Sequence, residues 1–142
     1  MKYLPDTNVL SRHLRGLDPV MSERLRATVA RHELVVSLIV FAELSYGAEK
    51  ARLAGERRPA ERLARLWAGV SPQPLPPETA EHYGRVRAAL EKRGEPIGNM
   101  DLLLAAHALA LGATVITHNT REFARVPGLT VEDWQSADEP KS

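Results

Sequence analysis

The stretch "NMDLLLAAHALALGATVITHN" (99–119) changes period at a single glycine, and that change decides the fold class. From Asn99 to Leu111 almost every residue is apolar, which predicts a helix buried on most sides. After Gly112, "ATVITHN" (113–119) turns β-branched and short, which predicts a buried strand. A buried helix feeding a buried strand is the repeating unit of a parallel sheet covered on both faces.

The same alternation runs through the rest of the chain. Lys2 to Leu4 is a short strand candidate, and Asn8 to Arg15 a helix stopped by Gly16. Asp18-Pro19 supplies an N-cap and a first-turn proline for a helix to about His32. "ELVVSL" (33–38) predicts a buried strand, and helices follow over 39–55 and 59–68. "SPQPLPP" (71–77) breaks helical order around a short extended piece. Glu78 to Lys92 is an amphipathic helix, and "LTVEDW" (129–134) a weaker last strand. The expectation is one three-layer α/β/α domain over residues 1–136 with a central parallel sheet, and a frayed tail at 137–142.

Composition narrows the function classes. At 142 residues, 44% apolar and 26% charged, the chain has the make-up of one globular domain. No run of about eighteen apolar residues is present, so no membrane span is expected. No leader pattern is visible, and the cytoplasm is the expected location. The absence of cysteine excludes disulfides, thiolate metal sites and cysteine nucleophiles. The net charge of +1 favours no partner, but fifteen of the nineteen basic residues are arginine, whose forks suit phosphate. Each arginine cluster, taken alone, is more often a solvated helix face.

The acids carry more information. Ligands of open parallel sheets sit beyond the carboxyl ends of the strands. Asp6 follows the first strand, Glu43 lies in the opening turns of the helix after "ELVVSL", Asp101 opens the buried helix, and Asn119 and Glu122 follow "ATVIT". Singly, Asp6 and Asp101 read as helix caps, Asn119 as a turn residue and Glu122 as a surface residue. Glu43 resists such a reading, because its neighbours Ile39, Val40, Tyr46 and Gly47 are uncharged and no Lys or Arg lies within a turn. A carboxylate that cannot easily reach water calls for a metal or a distant arginine. Converging carboxylates need cations, and hard oxygen donors select Mg²⁺, with Mn²⁺ as a substitute. That pairing points to phosphodiester hydrolysis. Glycine-rich phosphate loops, G-x-S-x-G and H-E-x-x-H are all absent. His107 reads as a hydrogen-bonded core residue, and His118 as a turn residue or a neighbour of the site.

The ordered motifs D-T-N (6–8), E-L-x-x-G (43–47), I-G-x-x-D (97–101) and T-x-N-x-x-E-F (117–123) resemble those of the PIN-domain ribonucleases. Within that family the chain is similar to the VapC-type toxins, from "DTNVL" to "VEDW". The resemblance implies a parallel-sheet fold and Mg²⁺- or Mn²⁺-dependent endonuclease action on RNA, commonly in transfer-RNA loops. The expected products carry 5′-phosphate and 3′-hydroxyl ends. It also implies a homodimer and a cognate VapB-type antitoxin. Asp6, Glu43 and Asp101 match the metal-binding acids, Glu122 the fourth acid, and Asn119 an outer contributor; Thr7 and Asn8 match supports of the first turn. Two departures stand out. Pro5 occupies a position usually aliphatic, where it should end or kink the first strand, and His118 replaces a common Asn. The rival reading is a PIN-fold binding module that has lost activity. A phospho-accepting receiver domain fits less well, since Asp6 has no acidic neighbour and only Lys141 follows Lys92.

Overall fold

The buried strand is the centre of the sheet. In the computed structural model, which describes residues 1–136, it is β2 (Thr114–Ile116), flanked by β1 (Tyr3–Pro5) and β3 (Val131–Glu132). The order is β1-β2-β3 and both pairings are parallel, with Leu4 opposite Val115 and Ile116 opposite Glu132. The expected tail at 137–142 lies outside the described residues.

The strands connect through α1 (Thr7–Leu14), α2 (Pro19–Ala30), α3 (Leu38–Leu53), α4 (Arg58–Gly69), α5 (Thr79–Lys92), α6 (Asn99–Leu111) and α7 (Thr120–Phe123). Alternation along each strand sorts the two faces. Leu4 and Val115 join the main core with Val40, Phe41, Leu90, Leu104 and Phe123. Tyr3 and Ile116 point the other way, onto Val9, Met21, Leu25 and Trp134. Helices therefore cover both faces, which is the expected three-layer arrangement. Gly112 ends α6 at φ +65°, a conformation that carries a penalty for any residue with a Cβ.

One expectation needs correction. "ELVVSL" is not a full strand: it lies extended beside β1 but makes only a parallel bridge from Leu34 to Tyr3. A second bridge, Ser37 to Gln73, brings in the extended piece expected within 71–77. Pro5 supplies the reason. Tyr3 gives its N–H to Glu33 and takes that of Val35, so alternate residues of β1 face this segment, and the next is Pro5, which has no N–H. β1 ends at Pro5, as expected, yet still pairs there with Ile116, because the missing donor points away from β2.

Candidate active site

Asp6 is a cap, yet capping engages only one of its two carboxylate oxygens. It is the N-cap of α1, where Oδ1 accepts from the Val9 amide at 2.9 Å. Its second oxygen, Oδ2, accepts the Thr117 hydroxyl at 2.6 Å. Asp6 is buried, and burial pushes its carboxyl above the usual range. The Thr117 hydroxyl and Val9 amide oppose that rise, while the charge of Glu43 adds to it.

Asp101 is no cap. Gly98 occupies the N-cap position of α6 and Asp101 is the third helical residue, with no side-chain cap bond at that end. Its carboxyl is pushed up to about 6, first by burial and then by the charges of Glu122, Asp6 and Glu43. Four carboxylates from α1, α3, α6 and α7 thus act on one another at the carboxyl end of the sheet. No Lys or Arg is ion-paired with any of them among the described residues.

Glu43 differs from expectation in its surroundings. It is half-buried rather than sealed in an apolar helix, because Ala42 and Tyr46 beside it are exposed. Its partner is local in space: the Thr7 hydroxyl donates to Oε1 and ties α1 to α3. Asn119 opens α7, and its side-chain amide donates to Glu122 Oε2. His118 turns to Asp133 at 3.0 Å and is exposed. His107 is core as expected, fully buried and sharing a hydrogen bond with Ser37 Oγ at 2.9 Å; burial lowers its ring, opposed by the Pro74 carbonyl.

Thr117 is the residue that reading the sequence passed over. Fully buried at the end of β2, it donates to Asp6 and accepts the Asn119 amide at 2.9 Å. One hydroxyl thereby couples two segments that carry site acids. Its signal was the Thr of T-x-N-x-x-E-F, quoted as pattern without a role.

The donor set fits a hard divalent cation. Burial raises Asp101 first and the neighbouring acids add to the rise, with no Lys or Arg ion-paired to them among the described residues; a cation there would relieve the charge. Among the described residues, no three His, Asp or Glu side chains lie together closely enough to hold a metal ion as they stand.

Residues 3–129 match the family model described as PIN domain. The chain belongs to the PIN-domain family. It is 36% identical over 135 residues to Ribonuclease VapC1 of Haemophilus influenzae (strain R2866), covering 94% of this chain and 98% of the relative. Over 137 residues it is 36% identical to the tRNA(fMet)-specific endonuclease VapC of Salmonella typhimurium (strain LT2), with the same coverage of 94% and 98%. Among solved structures, VapBC2 from Rickettsia felis bound to a DNA fragment from its promoter superposes with a TM-score of 0.86 at 31% identity, covering 95% of this chain and 100% of that one. This PIN domain therefore spans nearly the full length of its VapC relatives. No helix among its described residues is long and apolar enough to cross a membrane.

Proposed function

We propose that this PIN domain is a VapC-type endoribonuclease, the toxin of a toxin–antitoxin pair, acting in the cytoplasm on RNA with a VapB-type antitoxin as its partner. The observation that carries the reading is the delivery of four acids, Asp6, Glu43, Asp101 and Glu122, by four separate elements to one end of the sheet. Complete acids argue against the inactive binding module. Relatives named as ribonucleases at 36% identity over almost the whole chain support RNA as the substrate, with transfer-RNA loops as the finer expectation.

Asp6, Asp101 and Glu43 would hold Mg²⁺, or Mn²⁺ in its place, with Glu122 and Asn119 beside them. Such an ion, when bound, neutralises charge and polarises a phosphodiester for hydrolysis. The chain's own part is positional. Thr117 holds Asp6, Thr7 holds Glu43 and Asn119 holds Glu122, so three carboxylates are aimed before any substrate arrives. A homodimer belongs to the same proposal, supported by the exposed apolar residues Leu38 and Tyr46 on one side of α3.

The test is cleavage of total bacterial RNA by antitoxin-free protein, with Mg²⁺ or with EDTA, beside Asp6→Asn. Discrete new 5′ ends that require both metal and Asp6 are expected. A folded wild type that cuts nothing with Mg²⁺ present would return the chain to the binding-module reading.

A further inference from the structure

Asp101 and Glu122 sit on helices whose main packing partners differ. α6 packs on α5, α3 and β2, whereas α7 packs on β3. Yet Asp101 in the first turn of α6 and Glu122 in α7, just past β2, both belong to the carboxyl end of the sheet. Something must set the spacing of these two carboxylates. α6 is entered through "GEPIG" (94–98) with no side-chain cap, so no cap fixes its approach. α7 has four residues, too few to hold a helix by itself.

Two arginines cross between the flanking segments. Arg93, the C-cap of α5, donates through Nη2 to the Arg125 carbonyl just past α7, at 3.0 Å. Arg125 in turn donates through Nη1 to the Pro96 carbonyl in the loop that enters α6, at 3.2 Å. The Arg93 fork is itself steadied by Glu95, which accepts from Nε at 3.0 Å. Each guanidinium thus grips backbone, that of Arg93 together with the Glu95 side chain, and the two backbone bonds close a bridge from α5 to α7 and from α7 to α6. Beneath the bridge, Val126 is buried in the main core and anchors the same segment by packing.

We propose that Arg93 and Arg125 are positioning residues of the acidic site, whose crossed backbone bonds fix the distance between Asp101 and Glu122. The inference rests on the metal-dependent nuclease reading. Sites of this kind tolerate errors of only about 0.5 Å in ligand placement. Two partly exposed hydrogen bonds contribute little to global stability but hold such a spacing directly.

The experiment compares wild type, Arg93→Ala, Arg125→Ala, Arg125→Lys and Val126→Ala for Mn²⁺ affinity by electron paramagnetic resonance, for kcat and KM on RNA, and for Tm. Both arginine-to-alanine variants should lose about tenfold in Mn²⁺ affinity, the low end for groups that hold metal ligands from behind. Their kcat should fall with KM little changed, and their Tm should stay within a few degrees of wild type. Arg125→Lys, which keeps a donor for the Pro96 carbonyl, should recover most of the loss. Val126→Ala should lower Tm more than either alanine variant while leaving Mn²⁺ affinity close to wild type. The bridge has no such role if both arginine-to-alanine variants bind Mn²⁺ as wild type does, or if Val126→Ala loses affinity equally. A wild type that binds no Mn²⁺ removes the metal reading and the bridge with it; one that binds while the variants match it removes the bridge alone.

Discussion

Asp101 shows what a single residue contributes and withholds. Its carboxyl, raised from 3.8 to about 6, binds its proton more tightly in the folded chain than in the unfolded one. Stability from this group is therefore fully present below about pH 4, falls as pH rises towards 6, and is level above. Asp6 shifts in the same direction. In EDTA, Asp101→Asn should have a higher Tm than wild type at pH 7, and the gap should close as pH is lowered to 4. Added Mg²⁺ should raise Tm of wild type more than that of the variant. An equal gap at pH 4 and pH 7, measured by calorimetry, would show that Asp101 does not carry this shift. Thr117 works at the same scale. Thr117→Val keeps the shape but removes the donor to Asp6 and the acceptor of the Asn119 amide; about a tenfold fall in kcat/KM is expected, with Tm lowered by the loss of about 1–3 kcal/mol. Thr117→Ser, which keeps the hydroxyl, should retain activity; equal losses in both variants would point to packing instead.

At the scale of elements, the second face of the sheet is closed by α2 and the C-terminal segment through one carboxylate. Asp18 is the N-cap expected for α2, accepting from the Met21 amide at 3.1 Å. It also takes the Ser136 amide at 2.9 Å and the Ser136 hydroxyl at 2.8 Å, contacts that no local pattern displays. Burial alone would raise its carboxyl, but these three bonds and the charge of Arg12 hold it below the usual range. Its stabilisation is thus present at neutral pH and lost in acid. Nearby, Arg24 lies 4.2 Å over the Trp134 ring, and Trp134 meets Tyr3 of β1 in a tilted contact at 5.0 Å between ring centroids. Asp18→Ala should cost about 2 kcal/mol, the sum of a lost cap and a lost pair of buried bonds. The check is urea unfolding at pH 7; a change below about 0.5 kcal/mol, the scale of a neutral surface substitution, would show that the latch carries little.

Charge is distributed unevenly over the whole molecule. Arg24, Arg31, Arg52, Arg85, Arg87 and Arg93 each have a glutamate partner. Arg15, Arg58 and Arg62 have none among the described residues, and all three line a groove of about 490 Å³ between α1, α3 and α4. The groove starts at Ser11 and Gly47, one helical turn past Thr7 and Glu43. If an RNA backbone leaves the site along this groove, which Glu56 also lines, the double variant Arg58→Gln/Arg62→Gln should flatten the dependence of log(kcat/KM) on log salt by about 0.7 per arginine. Arg85→Gln, on a paired face, should leave that slope alone. Equal flattening in both would mean that overall charge, not the groove, attracts the RNA.

Sequence alone determined what depends on neighbours along the chain. The shift from helix to strand at Gly112, the caps at Asp6 and Asp18, and the delivery of acids by separate elements all follow from local period and turn chemistry. It was also enough to place the chain in its family, because the motif order survives whatever the loops do. Tertiary structure decided everything set by contacts distant in sequence. Asp6 meets Thr117 and Thr7 meets Glu43 only once the elements pack, and Glu43 proved half-exposed because helix periodicity cannot say what covers a face. "ELVVSL" kept its extended form but lost its ladder to Pro5, whose missing N–H matters only because of the side it faces. Local propensity is written in consecutive residues, whereas a hydrogen bond between positions 6 and 117 exists only after the chain has closed upon itself.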